Sequence, residues 1–292
     1  MNILKPTFEI WPQPAGLQGI YQQIEKAGRV CYKSENHLTA TSAKPFVERL
    51  IASQHTAMLE HATVYLVLPI DFSEFDYRHN KFTWVNVADG KQFVTTNFRV
   101  IVENNLQQHL QYLSEPTEHH EKRITVHFTT QIAISREFNR HRVNSMAEQS
   151  TRYCNYGKAK FGEEISINLP TWVAEQEQYN DEVAHQTSLK QLCAEVANGK
   201  SVNWDAVNTW LFANLSAEAA YMQLIGKGLK PQQARVVLPL DTCTELVHTA
   251  FIHDWKHFFD LRALGTTGAP HPDAKVLAQP LYEAFKEKGW LK

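Results

Sequence analysis

Cysteine is scarce in this chain of 292 residues, and its spacing excludes two kinds of small scaffold. The four cysteines lie far apart in the sequence, with no C-x-x-C pair; they are Cys31, Cys154, Cys193 and Cys243. This spacing argues against a disulfide framework and against a tetrahedral zinc site, so we expect no metal. Reduced cysteines are typical of a cytoplasmic protein.

Long apolar runs are also missing. No stretch approaches the roughly 20 apolar residues that a membrane-spanning helix needs. The first residues, MNILKPTFEIWPQP, lack a charged flank followed by an apolar segment, so we expect no secretion signal. The sequence therefore predicts neither a membrane anchor nor a membrane partner.

An excess of one charge is absent as well. The chain has 29 basic and 31 acidic residues, for a formal net charge of -2. Nucleic-acid binding usually depends on a broad basic surface, so we expect no nucleic-acid partner. The hydrophobic content of 43% is enough for a globular core. Because no repeat or low-complexity linker interrupts the chain, we interpret residues 1–292 as a single domain.

Hydrophobic periodicity predicts long helices and few strands. Helical patterns cover residues 17–31, 41–51, 98–112, much of 172–198, and 204–226, and two more helices end the chain. Strand patterns cover residues 62–70, 123–130, 165–169 and 244–252. Residues 71–90 are polar and aromatic, and this composition predicts a segment that leaves the core and lies on the protein surface. Strands this sparse, with long helices between them, favour the α+β class.

The densest group of functional side chains lies between Arg140 and Cys154, where the sequence reads RHRVNSMAEQSTRYC. Guanidinium groups beside short hydroxyl side chains suit a polar, anionic small molecule. On a helix, Arg140, His141 and Arg142 would point about 100° apart. We therefore expect them at a helix end or in a loop, where side chains and free amides can hold a pyrophosphate. For these three residues alone, a solvated basic helix end is the simpler alternative.

Two further spacings in this segment predict a helical turn. Glu148 and Arg152 are four residues apart, and Ser145 and Glu148 are three apart, so a helix would place them on one side. One alternative is a surface ion pair worth about 0.5 kcal/mol or less. The other is a patch that recognises a nucleotide base, with Arg152 at the phosphate. The residues alone leave both open.

The same segment resembles the signature motif of the flavin-dependent thymidylate synthases: RHR, then seven residues, then Ser150-Thr151-Arg152-Tyr153. Three further elements of that family have counterparts in this chain. They are QHTAMLEH at 54–61, the Ala-Arg-x-x-Leu-Pro element at 234–239 and the Leu-Arg step at 261–262. Together the resemblance covers most of residues 16–285.

The resemblance implies an α+β fold with an antiparallel-sheet core flanked by long helices, and an insertion around residues 71–122. It implies a methyltransferase of dTMP biosynthesis that converts dUMP to dTMP. Methylenetetrahydrofolate would donate the methylene group, and FAD reduced by NADPH would supply the hydride. A cytoplasmic homotetramer with active sites shared between subunits is also implied.

The resemblance also assigns site residues. The implied substrate-binding positions are Glu137, Arg140, Glu148, Gln149, Ser150, Thr151, Arg152, Arg235 and Arg262. The implied cofactor-binding positions are His55, Ala57, Arg140, His141, Arg142, Glu148, Phe251, His253 and His257. Arg262 is the catalytic candidate, because a cation beside the uracil would favour loss of the N3 proton by stabilising the developing anion. Ser150 is assigned to hydrogen bonding, since no histidine–carboxylate pair is identifiable to activate it as a nucleophile.

One departure from the family pattern keeps two alternatives open. The family usually has an Asn-x-Arg step where this chain has Phe251-Ile252-His253, so polar contacts to the flavin are lost. The chain could instead be a flavin- and folate-dependent hydroxymethylase of pyrimidine nucleotides, which product identity would show. It could also be a nucleotide-binding homologue without catalysis, which a colourless protein that still binds dUMP would favour.

Overall fold

The computed structural model describes residues 1–291. The strands are β1 (Asn2–Leu4), β2 (Thr7–Trp11), β3 (Thr63–Pro69), β4 (Trp84–Ala88), β5 (Lys91–Asn97), β6 (Arg123–Gln131), β7 (Ser145–Glu148), β8 (Ser166–Asn168) and β9 (Cys243–Phe251). The helices are α1 (Gly16–Val30), α2 (Ala43–Ala52), α3 (Phe98–Glu103), α4 (Ile132–Phe138), α5 (Thr171–Ala174), α6 (Asp181–Gln186), α7 (Leu189–Ala197), α8 (Ala206–Gly226), α9 (Pro231–Ala234), α10 (Ile252–Phe259) and α11 (Pro272–Glu287). Short 3-10 turns and one π-helical turn, Asp260–Leu264, complete the chain.

The central sheet has four antiparallel strands in the order β2-β6-β9-β7. β6 and β9 pair along their full lengths, from Arg123 opposite Phe251 to Gln131 opposite Cys243. Side chains alternate between the two faces of a strand. One face of β6 therefore carries Val126 and Phe128 into an aromatic core with α10 and α11. The other face of the sheet packs against α1.

A second antiparallel sheet, β3-β5-β4, packs on α1 and α2 through apolar side chains that include Ile20, Val47 and Leu66. Residues 71–90 lie at the surface as predicted, with only Tyr77 buried, but the prediction missed β4, which pairs with β5. The turn signal at 88–90 belongs to a two-residue hairpin loop, in which Asp89 and Gly90 both have positive φ. Such loops match the twist of the flanking strands. The extent of the predicted insertion stays a prediction.

A helical layer built on α8 surrounds a third core and the parallel pair β1 and β8. The long helix predicted within 172–198 is broken into α5, α6 and α7. The Asn180 and Ser188 side chains each accept a backbone N–H at the start of a new helix, which interrupts the run. The helix predicted over 98–112 ends at Glu103, and Asn105 with φ 55 leaves the helical conformation.

The predicted α+β class with antiparallel sheets is confirmed by this arrangement. Strands β1, β2, β4, β5 and β7 were not predicted. Of these, β1, β2 and β7 are short, and each depends on pairing with a distant strand. In the described part of the chain, none of the helices combines the length and apolar character needed to cross a bilayer. Within residues 1–291, histidine, cysteine and carboxylate side chains form no cluster suited to a metal ion.

Candidate active site

The RHR segment lies in a turn after a short helix, as expected. β6 leads directly into α4, and the chain then turns through Arg140, His141 and Arg142 before it returns as β7. The amides of Arg140 and His141 bond to the carbonyls of Glu137 and Phe138, at 3.3 and 3.1 Å. These two amides are therefore not free to bind an anion. They lie at the carboxyl end of α4, where backbone amides bond to carbonyls of the last helical turn. The side chains of Arg140 and Arg142 are exposed.

The helical turn predicted for Ser145 and Glu148 is wrong, because both residues lie in β7. Residues three apart in a strand face opposite sides. The Ser145 hydroxyl accepts a hydrogen bond from Arg123 Nη2 at 3.2 Å, whereas Glu148 faces α4. The surface ion pair is also wrong: within residues 1–291 Arg152 contacts no carboxylate, and its Nε donates to Gln232 Oε1 at 3.2 Å.

A cavity of about 630 Å³, here called the motif cavity, opens between α4, the end of β7 and the turn after α9. Its lining comprises Ile132, Arg136, Glu148, Gln149, Ser150, Thr151, Arg235, Val236, Leu238, Pro239 and Leu240. Five of these were predicted as substrate-binding residues. Its volume falls within the roughly 300–1,000 Å³ of small-molecule sites. Sequence analysis missed Arg136, although it lies one helical turn before Arg140.

Glu148 is held in place by neutral donors. Its carboxylate accepts hydrogen bonds from Ser135 Oγ at 2.6 Å, Asn139 Nδ2 at 3.1 Å and Thr244 Oγ1 at 3.3 Å. A carboxylate offers about four acceptor positions. Glu148 is therefore oriented by the protein and can still accept a donor from a ligand.

Two guanidinium groups, those of Arg136 and Arg235, line the motif cavity, and a third, that of Arg152, follows the lining residue Thr151 in the chain. Arg235 Nη1 donates to Thr151 Oγ1 at 3.2 Å, and Arg152 is linked to Gln232, one turn before Arg235. Arg136 is exposed on α4. In the described part of the chain, all three lack a carboxylate partner, so most of their donors are available to a phosphate.

The catalytic candidate Arg262 lies in the π-helical turn and joins residues far away in the sequence. Its Nη1 contacts Glu137 Oε2 at 2.7 Å, its Nη2 donates to the Glu137 carbonyl at 2.9 Å, and its Nε donates to His141 Nε2 at 3.4 Å. Turns of π-helix are frequent at functional sites. The structure thus brings together three predicted site residues and orients the guanidinium with three bonds.

His141 is neutral in this cluster. Burial, the Arg262 guanidinium and His257 together lower the pKa of His141 to about 4. Since Nε2 accepts the bond from Arg262, the ring proton resides on Nδ1. The exposed side chain of His257 lies beside it, with ring centres 5.6 Å apart.

We expect this depressed pKa to make the fold less stable in acid. The unfolded chain, with an ordinary histidine pKa near 6.5, binds a proton that the folded chain rejects. Stability is therefore fully present above about pH 6.5 and falls as the pH drops toward 4, by at most about 1.4 kcal/mol per pH unit for this group. Urea unfolding of wild type and His141→Asn between pH 7.5 and 5 should show a shallower slope for the variant. If the free energy of unfolding depends equally on pH in both proteins, the depressed pKa of His141 does not cause the loss of stability in acid.

A second cavity, of about 300 Å³ and here called the insert cavity, lies between residues 81–84 and the end of the central sheet. It is lined by Lys81, Phe82, Thr83, Trp84, Asn97, Arg123, Val143, Ser145, Ala250, Phe251, His253 and Asp254. Two predicted flavin-binding residues, Phe251 and His253, therefore lie here, stacked on each other with ring centres 5.3 Å apart. His253 Nδ1 contacts Glu121 at 3.2 Å, and this hydrogen bond raises the pKa of His253.

The other predicted flavin-binding residues are more dispersed. His55 and Ala57 are exposed where the 3-10 turn Thr56–His61 begins, and neither lines the motif cavity or the insert cavity. The single chain therefore brings together the substrate-side residues more closely than the cofactor-side residues.

Comparisons with known proteins identify the family. Residues 91–288, more than half of the chain, match the family model described as thymidylate synthase complementing protein. A probable flavin-dependent thymidylate synthase from Paramecium bursaria Chlorella virus 1 is 26% identical over 140 residues, 48% of this chain and 61% of that protein. A flavin-dependent thymidylate synthase from Synechocystis sp. is 25% identical over 159 residues, 54% of this chain and 65% of that protein. The chain thus spans less than two thirds of the length of these relatives.

Solved structures add a weaker likeness. Two crystal structures of the UMP/dUMP methylase PolB from Streptomyces cacaoi, bound with 5-Br dUMP and 5-Br UMP, align over 98% of this chain and 93% and 92% of theirs. Their sequence identities are 17% and 16%, with TM-scores of 0.41 and 0.42, too low to establish a shared fold. The match of residues 91–288 shows that the chain belongs to the thymidylate synthase complementing protein family, the flavin-dependent thymidylate synthases that its motif resembles.

Proposed function

We propose that this protein methylates dUMP reductively to dTMP, with methylenetetrahydrofolate as carbon donor, FAD as cofactor and NADPH as reductant. The observation that supports this most directly is the motif cavity, whose lining combines the oriented Glu148 carboxylate with the guanidinium groups of Arg136 and Arg235. A nucleoside monophosphate carries the complementary groups. Its phosphate is anionic, and its pyrimidine base presents an N–H donor.

The substrate-binding roles follow from the charges. Arg152 and Arg235, with Arg136, hold the phosphate by charge-assisted hydrogen bonds. Glu148 accepts a donor from the ligand, and Gln149, Ser150 and Thr151 line the wall beside it. The neutral partners of Glu148 leave its negative charge in place, so the carboxylate repels a misplaced phosphate and orients the nucleotide.

Arg262 acts on the base, and Glu137 and Arg140 complete the substrate side. Because three bonds hold its guanidinium, little reorganisation is needed when negative charge develops on the uracil ring as the N3 proton leaves. Such preorganised charge is usually a large part of an enzyme's rate enhancement. Neutral His141 keeps Arg262 oriented without adding a competing positive charge.

The residues around the insert cavity fit part of a flavin dinucleotide. Trp84 offers an aromatic surface, and buried Arg123 has no ion-pair partner among residues 1–291. We assign to the cofactor site the residues that the motif implies, which are His55, Ala57, Arg140, His141, Arg142, Glu148, Phe251, His253 and His257. When bound, the flavin supplies the hydride that completes the methyl group.

The exposed apolar side chains beside the two cavities support a shared assembly. Val143, Val236 and Leu240 are 64%, 79% and 54% exposed. Apolar surface next to a site is typical of an interface. We propose a cytoplasmic homotetramer in which neighbouring subunits complete each site, which accounts for the dispersed positions of His55 and Ala57.

The test is an anaerobic incubation of the protein with FAD, NADPH, methylenetetrahydrofolate and dUMP, followed by mass spectrometry of the nucleotide. We expect dTMP, and none when FAD is omitted. Unchanged dUMP in the presence of bound flavin would overturn the proposal. A 5-hydroxymethyl product would replace it with the hydroxymethylase.

A further inference from the structure

Arg123 is a buried cation without an ion-pair partner in the described chain, where Glu60 and Asp254 act on it only from beyond contact distance. It begins β6, lies opposite Phe251 in the sheet and is 8% exposed. Its guanidinium donates only to hydroxyls, Ser145 Oγ at 3.2 Å and Thr63 Oγ1 at 3.5 Å. Its backbone amide donates to the hydroxyl of Tyr65 at 3.5 Å. Among residues 1–291, no carboxylate comes within ion-pair distance of it.

Arg29 provides an internal comparison. It is also 8% exposed, but its Nε donates to Glu25 Oε1 at 2.9 Å. Burying a charge without a partner costs several kcal/mol. Burial lowers the pKa of Arg123 to about 10, so the side chain is still protonated at neutral pH. A cation retained at this cost is best explained by a ligand that supplies the missing negative charge.

The surroundings of Arg123 in the insert cavity indicate the kind of ligand. Its guanidinium carbon lies 5.5 Å from the centre of the Phe251 ring, and Trp84 forms another aromatic wall. Lys81 adds a second cation at the rim. Arg123 also borders a neighbouring cavity of about 480 Å³ beside Tyr65, but both Ser145 and Phe251 line the insert cavity.

The other charges of the insert cavity already have partners. Asp254 is the acidic residue among the described lining residues, and its carboxylate lies 3.6 Å from His253 Nε2. His253 also contacts Glu121, so its positive charge is compensated. Arg123 has five N–H donors, of which two are used, so three remain for an incoming group. A phosphoryl group has three acceptor oxygens, and the arginine fork matches its geometry.

We propose that Arg123 anchors a phosphoryl-binding subsite in the insert cavity and that this subsite takes the diphosphate of the flavin dinucleotide. The identity of the ligand rests on the proposed function, whereas the subsite itself rests on the burial and contacts of Arg123. At about 300 Å³ the cavity holds part of a dinucleotide, with an aromatic ring against Trp84, which is 46% exposed. Residues 81–84 thereby become part of the cofactor site.

The test compares flavins with and without phosphate on the full-length protein. Flavin fluorescence would be titrated with wild type, Arg123→Met, Lys81→Gln and Arg99→Met. Arg99 is the matched control, because it lies nearby in the sequence and is paired with Glu60 and Glu103. We expect Arg123→Met to weaken FAD binding at least about ten-fold and leave riboflavin binding unchanged, with a smaller effect for Lys81→Gln and none for Arg99→Met.

Thermal unfolding of the ligand-free variants separates a binding role from a structural one. Replacing an uncompensated buried charge by an apolar side chain is often neutral or stabilising. Arg123→Met should therefore unfold at the same temperature as wild type or higher. A lower unfolding temperature than that of wild type would overturn the proposal. Lys81→Gln, an exposed substitution, tests the subsite without affecting the core.

The remaining outcomes distinguish this inference from the proposed function. Unchanged FAD affinity in Arg123→Met, or an equal loss for riboflavin, would overturn the subsite even if wild type forms dTMP. Binding of inorganic pyrophosphate that depends on Arg123, in a protein that forms no dTMP, would support the subsite and contradict the proposed function. Loss of NADPH binding with unchanged FAD binding would overturn the flavin assignment.

Discussion

Replacing Arg262 by alanine should lower kcat by about 100-fold or more while the flavin content stays unchanged. The guanidinium is oriented by two bonds to Glu137 and one to His141, and no other described cation occupies this place. The substitution removes the charge that stabilises the developing uracil anion. Steady-state kinetics with dUMP, together with the flavin absorbance of the purified variant, measure both quantities.

Two further variants separate the effect of the Arg262 charge from the effects of its planar geometry and of its contact with Glu137. Arg262→Lys keeps the charge without the planar fork, so it should recover part of the turnover. Glu137→Gln removes the carboxylate that Arg262 contacts but keeps the cation, so it should lower kcat less than Arg262→Ala does. A fully active Arg262→Ala protein would remove the catalytic assignment.

The Arg152→Ala variant should bind dUMP more weakly by about 1.5 to 3 kcal/mol, the scale of a hydrogen bond to a charged group. This corresponds to roughly a 10- to 150-fold higher Kd. The Arg152 side chain is exposed and its guanidinium is hydrogen-bonded only to Gln232, so its removal leaves no buried group without a partner. Isothermal titration with dUMP measures the effect.

Deoxyuridine, which lacks the phosphate, is the control ligand for this variant. Its affinity should be the same in wild type and Arg152→Ala if Arg152 contacts the phosphate. The Gln232→Ala protein should bind dUMP nearly as wild type does, because it loses only the amide that orients the guanidinium. An unchanged dUMP affinity in Arg152→Ala would place the phosphate elsewhere, with Arg136 and Arg235 as the remaining candidates.

The parts of the fold that were predicted correctly are those with strong local patterns. The α1, α8 and β6 segments repeat apolar residues at helical or strand spacing over many residues, so local preference and burial agree. The expectation that the RHR segment lies at a helix end or in a loop also followed from sequence, because three consecutive long polar side chains do not share one face of a helix. The short helix α4 before it was not predicted.

The errors occurred where pairing with distant residues decides the structure. β7 has only four residues, Ser145–Glu148. The spacing of Ser145, Glu148 and Arg152, which follows the strand, also suits a helix. Pairing with β9 makes it a strand, which turns Ser145 toward the insert cavity and Glu148 toward the motif cavity. In the same way β4 is an edge strand of five residues, and its strand conformation depends on pairing with β5.

Arg123 shows why one site residue was missed altogether. In the sequence it is a single charged residue at the start of a strand, and nothing near it indicates a ligand. Only in the folded chain is it buried, opposite Phe251 and without a described carboxylate within ion-pair distance. The sequence shows the loss of an arginine at position 253 but not that a guanidinium from the neighbouring strand lies in the same cavity.

The amino-acid sequence by itself determined the family, the nature of the reacting groups and the long helices and strands, because these depend on residue types and short-range spacing. The tertiary structure decided which of those groups meet. Glu137 and Arg262 are 125 positions apart and touch, whereas Ser145 and Glu148 are three apart and face different cavities. The reason is that side-chain direction is set by strand pairing and burial, which depend on the whole chain.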